Sequence, residues 1–224
     1  MKSTGRVFAE KPSIGIEPTR LYDASRRFKN HGTHTDVTMV RLPSGLWVRS
    51  FNGSSSKVTI SDAPSLDISL GITLLVWVNV TARPGPDYAG IIDKEDALHP
   101  GGAYSLLLHT SGAPYFFIRN LADDGYQYPG DPSILTNGLW YHLANTFVSS
   151  TSIIGYQNGE VDTQKTTSVQ TGIYTNASDL TLGYGTDSPY WLNGYLALPE
   201  ILNCALSAGK IKQIFEAERH RFGV

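Results

Sequence analysis

Short runs of alternating apolar and polar residues, separated by turn residues, recur along most of this chain. Alternation with a period of two is typical of strands that are buried on one face. The runs that predict strands occupy residues 46–53, 57–60, 72–80, 91–94, 103–108, 114–119, 140–148, 152–157, 160–166, 180–183 and 193–196. Asn158 and Gly159 join two of these runs, which is a strong signal for a two-residue hairpin. This spacing predicts an all-β, antiparallel sandwich.

Two segments depart from the alternating pattern. Residues 72–80 are apolar almost throughout, so this strand is expected to cross the centre of the core with Trp77 buried in it. Near the C-terminus, Ser207 is a favourable N-cap, and Ile211, Ile214 and Phe215 recur at helical spacing. One short C-terminal helix is therefore predicted, packed on an edge of the sandwich.

Composition agrees with a single β domain. The chain has 224 residues, of which 41% are hydrophobic, with 22 Gly, 12 Pro and only 17% charged residues, a balance that favours strands and turns over long helices. Eighteen basic and 20 acidic residues give a formal net charge of −2, so no overall field draws the protein to nucleic acid or to an anionic membrane. Cys204 is the single cysteine, which excludes an intrachain disulfide.

The first 20 residues differ from the rest. They contain Pro12 and Pro18 and scattered charges without periodicity, which predicts an extended N-terminal arm over 1–20 and a folded domain over 21–224. We expect the arm to dock on its own domain or on a neighbouring subunit, which favours a homo-oligomer or a larger assembly. The N-terminus lacks the apolar core of a secretory signal, so the sequons at Asn52, Asn79 and Asn176 are interpreted as chance matches.

Several short motifs, in order, resemble laminin-G-like domains of the concanavalin A-like lectin and glucanase superfamily. The matching segments are the polar loop 23–33, the strands 46–53 and 57–60, the strand around Trp77, the aromatic-led strand 140–147, and residues 193–196 leading to the terminal helix. The resemblance covers about residues 21–219 and implies a jelly-roll sandwich. It does not select one function, because this fold serves lectins, adhesive modules, glycosidases, lyases and viral surface proteins.

Metal binding is not favoured by the residues. The resemblance implies a calcium site at the rim, but Asn52 and Ala197 stand where family members often carry Asp. No cofactor is therefore expected, although the resemblance leaves calcium open. His31 and His34 have a spacing that zinc could use, with Asp36 as the nearest further ligand, yet surface histidines are the favoured interpretation because zinc needs a full ligand set.

Catalytic carboxylates are also not favoured. The resemblance to glycosidases of this fold would call for acids at alternate positions of one strand, and the nearest match is Glu160 and Asp162, followed by Gln164 instead of a third acid. Residues 93–96, which read Asp-Lys-Glu-Asp, are interpreted as a solvated loop cluster. The protein is accordingly predicted not to be an enzyme.

Recognition is predicted in loops. The loop 120–131 combines acids with tyrosines, and acids bond sugar hydroxyls while aromatic rings offer flat apolar faces. The candidate glycan- or partner-binding residues are Asp123, Asp124, Tyr126, Tyr128, Asp131, Tyr190 and Trp191. The alternatives are that the tyrosines fold back onto the sheet and that Tyr190 and Trp191 fill an inter-sheet edge.

These observations favour a non-catalytic structural or binding module, a surface component of a larger assembly such as a virion, with glycan binding through loops. The alternatives are a free carbohydrate-binding lectin and a carbohydrate-active enzyme. The expected partners are protein subunits, contacted through the arm, and cell-surface glycans. The expected location is the surface of a virion or particle, or else the extracellular space or cell surface.

Overall fold

A computed structural model describes residues 5–9, 20–25, 28–85, 87–95, 103–122, 125–185 and 190–224. The strands are β1 (Arg6–Ala9), β2 (Arg20–Leu21), β3 (Gly32–Thr35), β4 (Thr38–Arg41), β5 (Trp47–Asn52), β6 (Lys57–Ile60), β7 (Gly71–Ala82), β8 (Tyr88–Asp93), β9 (Tyr104–His109), β10 (Pro114–Arg119), β11 (Tyr126–Gln127), β12 (Trp140–Val148), β13 (Ser152–Gln157), β14 (Glu160–Lys165), β15 (Leu180–Leu182), β16 (Tyr184–Gly185), β17 (Tyr190–Trp191) and β18 (Asn193–Leu202). The helix α1 (Ala208–Glu218) and a 3₁₀ turn (Arg219–Arg221) end the chain.

Within these described residues, two eight-stranded antiparallel sheets form the sandwich. Sheet 1 has the order β14-β13-β12-β7-β18-β5-β4, with β1 also paired to β18. Sheet 2 has the order β11-β10-β9-β8-β15-β6-β3-β2, and β16 and β17 form a separate hairpin. The predicted all-β jelly-roll sandwich with a short C-terminal helix is confirmed.

The core between the sheets is built from alternate residues of each strand, as period-two geometry requires. In β7, Ile72, Leu74, Val76, Val78 and Val80 all belong to the inter-sheet cluster. The intervening residues of β7 point to the opposite side of sheet 1, and they are buried there as well. This is why the sequence of β7 is apolar almost throughout instead of alternating.

The C-terminal helix explains that second buried face. Ser207 caps α1 by accepting the backbone N–H of Lys210, and Phe215 packs with Trp77 and Val48 on the outer side of sheet 1. Ile211 joins a neighbouring cluster on the same side. Trp77 is buried as predicted, but it lies under the helix and not between the sheets. The expectation that the helix packs on an edge is wrong, because the apolar outer face of central strand β7 needs covering.

The described part of the N-terminal segment is a strand of the domain. Residues Arg6–Ala9 pair antiparallel with the end of β18, and Val7 and Phe8 enter the inter-sheet core. The side-chain amide of Asn30 donates to Val7 O at 2.8 Å. Residues 10–19 of the predicted arm lie outside the described residues, so the domain boundary at residue 20 stays a prediction.

Candidate functional site

The site begins where the edges of the two sheets meet. β11 is one edge strand of sheet 2 and β14 is one edge strand of sheet 1, and residues of both strands line one groove. An open groove of about 600 Å³ runs between them, lined by residues 126–130 on one side and 164–167 on the other. We call this the edge groove. Its lining combines tyrosine rings with amide, hydroxyl and ammonium groups.

Gln127 fixes the tyrosine side of the groove. Its side-chain N–H donates to Ser168 O at 2.9 Å, and its side-chain oxygen accepts the backbone N–H of Gln170 at 3.0 Å. β11 itself pairs with β10, with Ile118 opposite Gln127. The backbone of β11 is therefore held from both sides, which orients the adjacent Tyr126 and Tyr128.

The two tyrosines continue a layer of aromatic side chains on the outer face of sheet 2. Phe117 meets Tyr126 at 5.2 Å and Tyr128 at 5.6 Å between ring centroids, edge to face, and it stacks on Tyr115 at 5.7 Å. Tyr115 lies 6.0 Å from Tyr88. Together with His109, whose ring lies 4.9 Å from that of Tyr88, these residues are called the aromatic face: Tyr88, His109, Tyr115, Phe117, Tyr126 and Tyr128.

Exposure differs between the rings of this face. Phe117 is only 8% exposed, whereas Tyr126 and Tyr128 are 55% and 39% exposed. Phe117 is therefore the buried base on which the tyrosines rest, and the tyrosine rings keep solvent-facing surfaces. Because these exposed rings are contiguous and not scattered singly, they form a candidate binding region.

Asp131 supplies a carboxylate to this layer. The Tyr115 hydroxyl donates to Asp131 Oδ1 at 3.2 Å. Burial and the neighbouring Asp131 charge raise the pKa of Tyr115, so its hydroxyl stays protonated at neutral pH. The aromatic face thus carries a fixed hydroxyl–carboxylate pair beside its exposed rings.

The structure brings together only some of the predicted site residues. Tyr126 and Tyr128 line the edge groove, and Asp131 contacts Tyr115 of the aromatic face. Asp123 and Asp124 lie outside the described residues. Tyr190 and Trp191 form β17 and are half-buried. The Trp191 ring lies 4.4 Å from that of Tyr184 and 6.0 Å from the Lys57 ammonium, which makes this a separate cluster on the β16–β17 hairpin.

Sequence reasoning missed Tyr88, His109, Tyr115 and Phe117 as site residues. One signal was available, because Tyr115 and Phe117 alternate in one predicted strand and must share a face. The positions of Tyr88 and His109 depend on the pairing of β8 with β9. That pairing places them beside Tyr115, and it cannot be derived from local pattern.

The carboxylates of β14 have structural partners. Glu160 accepts a hydrogen bond from Lys212 of α1 at 2.5 Å, which ties the helix to sheet 1. Asp162 accepts the backbone N–H of Ser133 at 2.9 Å and its hydroxyl at 2.5 Å. These contacts hold loops and the helix in place, and they give both side chains a role that needs no substrate.

The predicted solvated cluster at residues 93–96 is wrong for the three residues that the structure describes. Asp93, Lys94 and Glu95 are all buried. The Ser105 hydroxyl donates to Asp93, while the Lys94 ammonium donates to Asp62 at 2.7 Å and to Ser178 O at 2.8 Å. Lys94 is buried because it joins two distant loops, and Asp93 is buried beside Ser105 of the paired strand β9. Asp96 lies outside the described residues.

The predicted metal positions have other partners. His31 Nδ1 accepts the backbone N–H of Asp23 at 3.1 Å, and His34 Nε2 lies 3.0 Å from the Arg49 guanidinium. Asn52 Oδ1 accepts the backbone N–H groups of the turn that follows it, and Ala197 is buried beside Trp77. Within the described parts of the chain, His, Cys, Asp and Glu form no group of three or more that could hold a metal ion.

His142 belongs to the covered side of sheet 1. Its ring lies 5.2 Å from Trp77 and 6.1 Å from Phe215, and Nδ1 is buried without a hydrogen-bond partner. Burial lowers the pKa of His142 to about 4. The backbone N–H of His142 donates to the Asn158 side chain at 3.0 Å.

Comparisons with known proteins agree with this architecture. A family model described as Laminin_G_3, of the concanavalin A-like lectin/glucanases superfamily, matches residues 52–212. No curated protein sequence matches significantly. Across the ranges that the structure describes, no helix is long and apolar enough to cross a membrane.

Solved structures share the fold at low sequence identity. The binding domain of paraclostridial mosquitocidal protein 1 aligns with a TM-score of 0.73 and 18% identity, over 95% of this chain and 52% of that one. Botulinum neurotoxin type C, whose cell entry depends on two ganglioside molecules, aligns with a TM-score of 0.66 and 16% identity, over 95% of this chain and 51% of that one. The binding domain of botulinum neurotoxin DC, solved with rat synaptotagmin II, aligns with a TM-score of 0.67 and 15% identity, over 95% of this chain and 51% of that one. The chain therefore spans about half the length of these structures.

Proposed function

Because the chain belongs to the concanavalin A-like lectin/glucanases superfamily, we propose that it is a non-catalytic glycan-binding module that binds through the aromatic face and the edge groove. The proposal is carried by one observation, the exposure of Tyr126 and Tyr128 beside the polar groove residues 164–167. Tyrosine rings stack on the C–H faces of sugars, and amide, hydroxyl and carboxylate groups bond sugar hydroxyls. A surface that combines these groups suits a carbohydrate.

A purely structural role for the tyrosines is the competing explanation. Tyr126 and Tyr128 do cover Phe117, but about half of Tyr126 remains in solvent. A ring that served only as a cover would gain more by lying flat on the sheet. The proposal also agrees with the binding roles of structural relatives, one of which depends on gangliosides for cell entry.

The proposal excludes a hydrolytic role for β14. A retaining or inverting glycosidase needs two carboxylates that face a shared cleft. Glu160 and Asp162 instead contact Lys212 and Ser133. Incubating the protein with polysaccharides should release no shorter products; release that Glu160→Gln abolishes would favour the enzyme alternative.

A glycan array tests the binding proposal directly. Tyr126→Ala and Tyr128→Ala should each weaken binding about tenfold, the order expected for the loss of one well-packed aromatic contact. Tyr22→Ala is the matched control, because Tyr22 is 43% exposed and follows β2 at the opposite edge of sheet 2. Unchanged binding in both groove variants would overturn the proposal.

Association with a larger particle remains a separate prediction from the N-terminal arm. Its test is deletion of residues 1–20 followed by light scattering. Since Val7 and Phe8 are part of the core, a second variant that removes only residues 10–19, with a short flexible link, separates loss of assembly from loss of folding. An unchanged mass in that variant would argue against the arm as an assembly element.

A further inference from the structure

We propose that the Lys94 ammonium occupies a cation site whose oxygen ligands suit a calcium ion, so that the chain supplies its own cation at one end of sheet 2. Shortening the Lys94 side chain should turn this site into one that binds calcium from solution. The site shares no residue with the aromatic face or the edge groove. It also does not include Asn52 or Ala197, the rim positions at which the family resemblance implies calcium.

The order of the strands brings the ligands of this site together. β6, β15 and β8 are consecutive antiparallel neighbours in sheet 2, so the end of β6, the start of β15 and the end of β8 lie at the same end of the sheet. Asp62 follows β6, Lys94 follows β8, and Asn176 and Ser178 precede β15. Three segments that are distant along the chain therefore meet around one buried side chain.

Four oxygens surround the ammonium, and we call them the cation cage. Lys94 Nζ lies 2.7 Å from Asp62 Oδ1, 2.8 Å from Ser178 O, 3.1 Å from Asn176 O and 3.4 Å from Asn176 Oδ1. An ammonium has three N–H donors, so it cannot give each of these acceptors a proton of its own. A carboxylate, an amide oxygen and two backbone carbonyls are the hard oxygen ligands that calcium takes in proteins. The cation cage therefore has the donor set of a metal site.

Hydrogen bonds that do not involve the Lys94 ammonium hold these oxygens in place. The Asn176 side-chain N–H donates to Lys94 O at 3.2 Å, and Asn176 Oδ1 also accepts the backbone N–H of Ser178 at 3.2 Å. The backbone N–H of Asp62 donates to Asp179 Oδ1 at 3.0 Å, which links the two loops that carry the ligands. Because these bonds do not use the lysine side chain, we expect the cation cage to persist when that side chain is shortened.

The surroundings of the cation cage give an ion a path and favour calcium over magnesium. The Lys94 side chain has 0% exposure, but that of Asp62 is 29% exposed, so an ion can enter beside the carboxylate. Calcium takes about 6–8 oxygens at about 2.3–2.6 Å in flexible geometry, and water can complete its shell. Magnesium demands near-ideal octahedral geometry at about 2.0–2.1 Å, a larger contraction of the cage. With a single carboxylate ligand, we expect a calcium Kd of about 1 mM.

Thermal melting of the wild type, Lys94→Ala and Lys94→Met tests this inference. Lys94→Ala removes the ammonium and most of the stem, which opens the cation cage, whereas Lys94→Met removes the charge but leaves an unbranched stem inside it. Both variants should melt below the wild type in a chelator. About 10 mM calcium chloride should then raise the melting temperature of Lys94→Ala by about 3–6 °C, and magnesium chloride should raise it less. Lys94→Met and the wild type should show no calcium shift.

Two further variants make the test specific to the cation cage. Adding Asp62→Asn to Lys94→Ala should abolish the calcium shift, and Lys212→Met, which removes an exposed ammonium, should show none. If Lys94→Ala does not fold in a chelator, refolding from urea replaces the melt, and native tryptophan fluorescence should return in calcium but not in magnesium. A calcium shift of equal size in the wild type or in Lys94→Met, a shift that survives Asp62→Asn, or the absence of both shift and recovery in Lys94→Ala would overturn the inference.

Discussion

Replacing Lys94 with methionine should destabilise the fold strongly, although the residue lies in a stretch of consecutive charges. The Lys94 side chain has 0% exposure and pairs with Asp62, whose side chain is 29% exposed. Its ammonium also donates to Asn176 O at 3.1 Å and Ser178 O at 2.8 Å. Methionine keeps the unbranched stem but removes the charge, so these acceptors lose their donor.

The burial of Lys94 sets the expected loss of stability in Lys94→Met. Removing one partner of a buried ion pair costs about 3–5 kcal/mol. Water can still reach part of Asp62, which argues for the lower end, about 3 kcal/mol. For a chain of this size, each kcal/mol shifts the melting temperature by about 2–4 °C, so Lys94→Met should melt about 6–12 °C lower.

Lys212→Met provides the matched control. Lys212 contacts Glu160 at 2.5 Å, a distance as short as that of the Lys94 pair, but both side chains are largely exposed. Exposed pairs add little because water and salt screen them, so this variant should unfold at the same urea concentration as the wild type. Urea unfolding followed by tryptophan fluorescence measures both. Equal effects of the two substitutions, or a loss below about 1 kcal/mol for Lys94→Met, would refute the reasoning from burial.

Two other predictions concern the loss of stability at acidic pH and the effect of adding a Cβ at two glycines. The folded-state pKa of His142, about 4, lies below its ordinary value of 6.5, so the unfolded chain binds the proton more tightly and stability falls as pH decreases from 6.5 to 4. Burial raises the pKa of Glu218, which offsets part of this loss. His142→Phe should flatten the decline of the urea midpoint with falling pH over that range. An unchanged slope would contradict the assignment of the acid sensitivity to His142. Gly183→Ala should destabilise more than Gly138→Ala in thermal melts. Both glycines have positive φ, +78° and +82°, but a Cβ at Gly183 would lie 2.1 Å from the Phe51 ring, whereas a Cβ at Gly138 would meet no atom within 4 Å. Equal losses would refute the steric argument.

The strands could be predicted because each carries its own signal. β12, β13 and β14 follow from alternation and from the Asn158-Gly159 turn alone, and the confirmed sandwich needs little beyond such local patterns. The side of sheet 1 that the helix covers could not be predicted in the same way. The helical periodicity of α1 identifies its apolar face, but it does not identify the surface that this face contacts.

The burial of Lys94 shows a second limit of sequence reasoning. Its partners Asp62 and Ser178 lie 32 and 84 residues away along the chain. A run of charged residues is solvated in most proteins, and only the meeting of two distant loops provides the acceptors that reverse this tendency. The aromatic face has the same origin, since pairing of β8 to β11 gathers rings from residues 88 to 128.

The C-terminal helix covers one outer face of the sandwich, and the proposed binding surface lies on the other. α1 and Phe222 cover the outer face of sheet 1, where Phe222 stacks on Trp77 at 4.0 Å. On sheet 2, the tyrosines at the corresponding outer surface remain partly in solvent. The outer face of an antiparallel sheet can stay in solvent, but a cluster of exposed aromatic rings on such a face suits a ligand. Here one face is covered by the chain's own end, and the aromatic rings of the other stay available to a ligand.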